Sequence, residues 1–119
     1  MKIAIASSGN TLESPVDGRF GRAPGFIVYD TDNDTFTIAD NRQNLNAAQG
    51  AGIQAAQNVA ETGAGAVIAP NFGPKAFSVL KAAGIKALIS NAATVQDVID
   101  EYKSGKLSES SSANVQGHW

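Results

Sequence analysis

The chain has no cysteine among its 119 residues, and this absence restricts what it can bind. Without thiols it forms no disulfide framework, no thiolate zinc site and no iron–sulfur cluster ligated by its own sulfur. Histidine is nearly absent as well, because His118 stands alone in a polar C-terminal stretch. A single histidine there supports neither a catalytic triad nor a multi-histidine metal site. We therefore expect no metal to be held by direct side-chain ligation.

Several other signatures of activity are missing. No G-x-G-x-x-G follows the first apolar run and no G-x-x-x-x-G-K-[ST] occurs, which argues against dinucleotide and nucleoside triphosphate binding. Asp17, Asp30 and Asp40 do not form the carboxylate cluster that a magnesium-dependent nuclease needs. The net charge of −2 lacks the basic excess that nucleic-acid binding requires. We expect a protein that is not an enzyme, with neither nucleic acid nor membrane as a partner.

What is present is the composition of one globular domain. Apolar residues make up 43% of the chain, enough for a core but too interrupted for a membrane span. The polar residues Ser7-Ser8-Gly9 end the first apolar run before a signal-peptide core accumulates, so we expect cytoplasmic residence. Residues 1–107 are predicted to form a single α/β domain and residues 108–119 a flexible tail.

Five short apolar runs predict five strands, at residues 3–6, 26–30, 35–39, 66–69 and 85–89. Helices are predicted behind the capping-box pattern Asn46-x-x-Gln49, from Pro74, and behind Thr94-x-x-Asp97. Phe77 and Leu80 are the main buried candidates of the second helix. The order βββαβαβα with right-handed crossovers predicts a mixed sheet of order 3-2-1-4-5, flanked by helices.

A binding site is expected at the carboxyl ends of the parallel strands. The polar loop of residues 7–25 is too long for a simple connection, and it carries Arg19 and Arg22. Two glycine-rich helix starts reach the same end and offer backbone amides to an anion. Taken singly, each segment also has a simpler interpretation as loop packing. Together they predict a site at Arg19, Phe20, Gly21, Arg22, Gly50, Ala51, Gly52, Asn71, Phe72 and Gly73.

These segments, in this order, resemble the dinitrogenase iron-molybdenum cofactor biosynthesis family, which has a ribonuclease-H-like three-layer fold. The resemblance rests on residues 2–6, 19–30, 50–52, 71–77, 84–86 and 94–97. It implies a carrier of molybdenum or iron–sulfur cofactors that performs no redox chemistry itself. Many relatives have a histidine where Arg19 stands or a cysteine in the glycine-rich loops. Those departures again point away from side-chain ligation.

The resemblance to members without cysteine implies a molybdenum–copper sulfide cluster derived from tetrathiomolybdate, or a related iron–molybdenum–sulfur cluster. Such an anionic cluster brings its own sulfide, so arginines, amides and apolar surface suit it. Arg19 and Arg22 would neutralise charge, while Phe20 and Phe72 would exclude water. Partner proteins in a cytoplasmic complex are also expected. The alternative is a regulatory or interaction domain that uses this surface for a protein or a small anion.

Overall fold

A five-stranded mixed sheet forms the middle layer of the molecule. The computed structural model describes residues 1–41, 50–107 and 109. The strands are β1 (Lys2–Ser7), β2 (Gly25–Asp30), β3 (Thr35–Asp40), β4 (Ala66–Ala69) and β5 (Lys86–Ile89). The sheet order is β3-β2-β1-β4-β5, with β1, β4 and β5 parallel and β2 antiparallel to both β1 and β3. The predicted α/β fold and strand order are confirmed.

Three helices flank the sheet: α1 (Ala51–Glu61), α2 (Pro74–Ala82) and α3 (Val95–Lys103). Pro74 opens α2, where its missing N–H costs nothing. The hydroxyl of Thr94 caps α3 by accepting from the Asp97 amide at 3.2 Å. The capping pattern predicted at Asn46 and Gln49 lies outside the described residues. In the described chain, α1 begins after Gly50, a left-handed N-cap with φ 78°.

The core has two halves, one on each face of the sheet. Small and branched side chains such as Ala4, Val28 and Val67 face α1 and α2 on one side. Larger side chains such as Ile5 and Ile27 face α3 on the other side. β1 is therefore buried on both faces, as its continuous apolar run predicts. On α2, Leu80 is buried but Phe77 is only partly buried.

A polar cluster joins the β2–β3 turn to the end of α3. Tyr29 and Lys103 both donate to Asp34, the lysine at 2.7 Å, and Lys103 also donates to the Tyr29 hydroxyl at 3.1 Å. The pKa of Asp34 is lowered by the hydrogen bonds from Lys103 and Tyr29. The pKa of Lys103 is raised, chiefly by its hydrogen bond to Asp34. This cluster lies at the end of the sheet opposite the predicted site.

The C-terminal part of the described chain returns to the sheet. Leu107 packs against the α3-side core, and Glu109 forms an antiparallel bridge with Leu88 of β5. Contact with the sheet thus continues just past the predicted domain end at 107, and the flexible tail stays a prediction. Within the described ranges, no helix is long and apolar enough to cross a membrane.

Candidate functional site

The long loop after β1 is fastened to its surroundings by backbone hydrogen bonds. The Ser8 amide donates to the Pro15 carbonyl and the Asp17 amide to the Ala6 carbonyl, both at 3.0 Å. The Val16 amide donates to the carbonyl of Ala93, in the segment that leads into α3, at 3.0 Å. The loop ends in a 3₁₀ turn, Phe20–Arg22, directly before β2. Its polar sequence thus forms an ordered surface at the carboxyl end of β1.

The structure brings the three predicted segments together. The rings of Phe20 and Phe72 lie 5.2 Å apart between centroids, joining the loop after β1 to the loop after β4. The side-chain Nδ2 of Asn71 donates to the Gly18 carbonyl at 3.3 Å, a second link between the same loops. A Cβ built on Gly52 would lie 3.3 Å from that of Ala76, so the first turns of α1 and α2 also touch. All three segments therefore meet at one end of the sheet.

Arg19 lies on the surface beside a buried carboxylate. Its side chain is 60% exposed, and its Nε lies 3.5 Å from Oδ1 of Asp17, whose side chain is only 8% exposed. The Asp17 carboxylate also accepts from the Arg19 amide at 2.9 Å and from the Ser8 hydroxyl at 3.2 Å. Asp17 thus holds the first turn of the arginine segment while leaving the end of the guanidinium near solvent.

Two further basic residues lie at this end of the sheet. Arg22 closes the 3₁₀ turn and is partly buried, with its amide donating to the Arg19 carbonyl at 2.9 Å. Lys75 is exposed in the first turn of α2. Sequence reasoning did not select Lys75 or Asp17 as site residues. The position of Lys75 directly after Pro74, in the first turn of a helix that starts at the site, is the signal that could have identified it.

The starts of α1 and α2 contribute partial positive charge at this end of the sheet. Each helix has a glycine as its N-cap, Gly50 and Gly73, which offers no side-chain acceptor to the first amides. Neither helix has an acidic residue in its first turn. Both macrodipoles therefore present their positive ends to the same small region. An anion is the ligand that such an arrangement favours.

The two phenylalanines lie beneath this surface. Phe20 and Phe72 are both completely buried, and Phe20 also packs against Phe26 with ring centroids 5.3 Å apart. In the structure they anchor the two loops to the α1 and α2 side of the core. Gly21 and Gly73 are buried too, and Gly52 allows the two helices to approach closely. The predicted contact of these residues with a ligand stays a prediction.

Asn41 ties the site loop to α1, a contact that the sequence pattern did not indicate. Its side chain is completely buried and donates to the Ala23 carbonyl at 2.8 Å. Its Oδ1 also accepts from the side-chain Nδ2 of Asn58, on α1, at 2.6 Å. The Asn41 backbone amide donates to the Pro24 carbonyl at 3.0 Å. One side chain thus joins the end of β3, the arginine loop and the first helix.

The described residues line a small cleft near this surface and a larger cleft far from it. A cleft of about 120 Å³ opens beside β3 at the same end of the sheet, and no predicted site residue lines it; its lining is Ser7, Ser8, Gly9, Asn10, Pro24, Gly25, Ile38 and Asp40. A larger cleft of about 300 Å³ lies between β5, Tyr102 and Glu109 at the opposite end. In the described part of the chain, no three histidine, aspartate or glutamate side chains cluster as metal ligands. The anion-favouring surface is thus distinct from either cleft.

A family model, a protein sequence and several solved structures are similar to this chain over nearly its whole length. The model of the family described as dinitrogenase iron-molybdenum cofactor matches residues 1–105. An uncharacterized protein of Methanocaldococcus jannaschii is 34% identical over 109 residues, which cover 90% of this chain and 89% of that protein. The apo form of the orange protein from Desulfovibrio gigas is 37% identical, with a TM-score of 0.92 over 96% of each chain. A NifB-like protein of Thermotoga is also 37% identical, with a TM-score of 0.83 over 98% of each chain.

Proposed function

This chain belongs to the dinitrogenase iron-molybdenum cofactor family, and on that premise we propose that it binds and carries an anionic metal–sulfide cluster without catalysing a reaction. The family and the related structures suggest a role in metal-cluster binding or biosynthesis. The finer proposal is a molybdenum–copper sulfide cluster formed from tetrathiomolybdate, with a related iron–molybdenum–sulfur cluster as the next candidate. Its resemblance to the cysteine-free members of the family supports that order.

One observation carries the proposal: three loops with a cationic surface meet at a single end of the sheet. Arg19, Arg22 and Lys75 supply positive charge there, and the starts of α1 and α2 add two helix dipoles. An anionic cluster would accept charge-assisted hydrogen bonds from the guanidinium groups and from backbone amides. Among the described residues, Asp17 is the only carboxylate that forms an ion pair with Arg19. Its side chain is buried below the surface.

The same arrangement supports non-covalent holding. Since the chain has no cysteine, the sulfur of any bound cluster is inorganic. The protein then contributes charge, amides and shape, and its cargo can leave intact because no protein–metal bond needs to break. Asp17 orients Arg19 by bonding its amide and Nε, so the guanidinium end stays available to the cargo. A carrier that passes its cluster to another protein needs this kind of reversible site.

Reconstitution tests the proposal directly. The purified protein is mixed with tetrathiomolybdate and a copper salt, desalted, and examined by visible absorption and metal analysis. We expect charge-transfer bands and both metals to elute with the protein. Complete loss of colour and metal on desalting would contradict the proposal. Loading with iron and tetrathiomolybdate in parallel distinguishes the two cluster types.

The double variant R19A/R22A tests the roles of the arginines. Because each charge-assisted hydrogen bond contributes about 1.5 kcal/mol or more, we expect cluster retention to fall at least about tenfold. The matched control is K81A/K106A, which removes the same charge from exposed positions outside the site and should retain the cluster. Equal retention by both folded variants would show that net charge, and not the arginine loop, governs binding.

A further inference from the structure

Asp17 places a carboxylate directly beside a surface that favours anions. The residue is only 7% exposed, and its Oδ1 lies 3.5 Å from Nε of Arg19. A negative charge at this position repels an anionic ligand, and a carboxylate is costly to bury unless it is paired and hydrogen-bonded. Attraction between the site and an anion therefore does not explain why an aspartate stands here. Its contacts indicate a different role.

The contacts of Asp17 are of two kinds. Its Oδ1 accepts from the backbone amide of Arg19 at 2.9 Å, which is the hydrogen bond of an Asx turn, and its Oδ2 accepts from the Ser8 hydroxyl at 3.2 Å. A neutral asparagine can make both contacts, since its oxygen accepts and its NH₂ group donates to a hydroxyl. Of the contacts described, the ion pair with the Arg19 guanidinium is the one that requires the negative charge.

The ion pair leaves part of the Arg19 guanidinium for a ligand. A guanidinium has two kinds of edge that donate two parallel hydrogen bonds, one formed by Nε with an Nη and the other by the two Nη atoms. Asp17 pairs with Nε and so takes up the first edge, while the Arg19 side chain stays 60% exposed. The edge with the two Nη atoms is then the one that can meet a ligand. An arginine already held at Nε also has less rotamer freedom to lose on binding.

We propose that Asp17 is a positioning residue, which holds Arg19 at Nε and thereby strengthens the binding of an anion despite its own negative charge. The inference rests on the proposed function and deepens it by stating which anions suit the site. The Nη edge of Arg19 matches an anion that offers two acceptor atoms side by side, as two terminal sulfides on one molybdenum atom do. The repulsion from Asp17 is small, because its charge is largely cancelled by that of the paired guanidinium.

The sign of the effect of Asp17→Asn separates positioning from simple electrostatics. The substitution removes a negative charge next to the site, so electrostatics alone predicts that an anion binds more tightly. Loss of positioning predicts that it binds more weakly. Because asparagine also forms Asx turns and can still bond the Ser8 hydroxyl, the loop keeps its conformation in this variant. The direction of the change in affinity therefore identifies the role of the carboxylate.

A double-mutant cycle measures this effect on the full chain. The parent and the variants D17N, R19A and D17N/R19A are loaded with tetrathiomolybdate and a copper salt, and cluster affinity is determined by equilibrium dialysis with metal analysis. We expect D17N to bind about three- to fivefold more weakly than the parent. In the R19A background the same substitution should change affinity less than about twofold, because Asp17 acts through Arg19. The control D100N, exposed on α3, makes the same change of charge and should also change affinity less than about twofold.

The order of the Arg19 side chain is also measured without a cluster. Its Nε–Hε signal in the isotope-labelled protein is identified by its absence from the R19A spectrum, and its heteronuclear NOE reports motion on the ps–ns timescale. We expect an ordered Nε–Hε group in the parent and a mobile one in D17N, while the backbone amide signals of the two proteins show the same fold.

The outcomes distinguish this inference from the proposed function. If the parent retains the cluster and folded D17N binds it equally or more tightly, the inference is wrong and the proposed function stands. A mobile Arg19 Nε–Hε group in the parent would overturn the inference even if D17N did not fold. A parent that retains no cluster would contradict the proposed function and, with it, the inference that rests on it.

Discussion

At the scale of single residues, Asn41 is expected to be costly to replace. Asn41→Ala leaves the Ala23 carbonyl and the Asn58 amide without their present partner in a buried setting. We expect the free energy of unfolding to fall by roughly 2–3 kcal/mol, measured by urea denaturation. The matched control is Gln57→Ala, exposed on α1, which should change stability by less than about 0.5 kcal/mol. A loss as small as that of the control would mean that the buried network contributes little.

Individual site residues were predictable only where the chain signals them locally. Arg19 and Arg22 stand out as two guanidinium groups in a glycine-rich loop, and the structure places both at the carboxyl end of the sheet. Asp17 and Asn41 could not be recognised, because their roles depend on burial and, for Asn41, on partners that are remote in sequence. An aspartate two residues before an arginine is ordinary in sequence. Its burial at 8% exposure is what makes it a fixed anchor.

At the scale of elements, the start of α1 depends on a backbone conformation that favours glycine. Gly50 has φ 78°, and Gly50→Ala should lower stability by about 1 kcal/mol because a Cβ is unfavourable in the left-handed region. Among the described residues, and leaving aside its chain neighbours, no atom would lie within 4 Å of that Cβ, so the substitution tests the backbone conformation. Gly50→Asn should lose less, since asparagine tolerates this region. Equal losses in the two variants, measured by thermal unfolding, would contradict this explanation.

The elements that sequence patterns identified well are those with local stop and start signals. Continuous apolar runs mark β1 and β4, Pro74 marks α2, and Thr94 with Asp97 marks α3. The long loop after β1 was recognised as too long for a simple connection. Its packing was not predictable, because Val16 and Pro15 pair with segments that are distant in sequence. Likewise, Phe77 is only partly buried, although it packs against the core on the α1 and α2 side of the sheet.

At the scale of the whole molecule, the Asp34 cluster connects the β2–β3 turn to the end of α3, 69 residues further along the chain. Asp34→Asn should destabilise the protein near pH 7 and leave it nearly unchanged near pH 2. The lowered pKa of Asp34 means that its contribution exists when the carboxylate is ionised and disappears as the pH falls through that pKa. Lys103, whose pKa is raised, stays charged throughout this range. Asparagine tolerates φ 55°, so the variant removes charge without backbone strain.

Urea unfolding at both pH values measures the effect, and Asp32→Asn on the same turn is the control. If the difference in the free energy of unfolding between variant and parent is the same at both pH values, the charge of the carboxylate is not what stabilises the cluster. The control is informative because Asp32 bonds the N-terminal amine and makes none of the cluster's contacts with α3.

The order of the strands in the sheet could be predicted from connectivity rules alone, because right-handed crossovers leave few arrangements of three parallel strands.

The hydrogen bonds that fasten the loop after β1 also bear on the speed of capture. A loop already held by Ala6 on one side and Ala93 on the other would lose little conformational entropy on binding the proposed cluster. Reorganisation is then confined to exposed side chains such as Arg19. Under these conditions association is limited by encounter, which opposite charges accelerate and added salt slows. We therefore expect the rate of cluster loading to fall as the ionic strength rises, as is typical of a preorganised, charged binding surface.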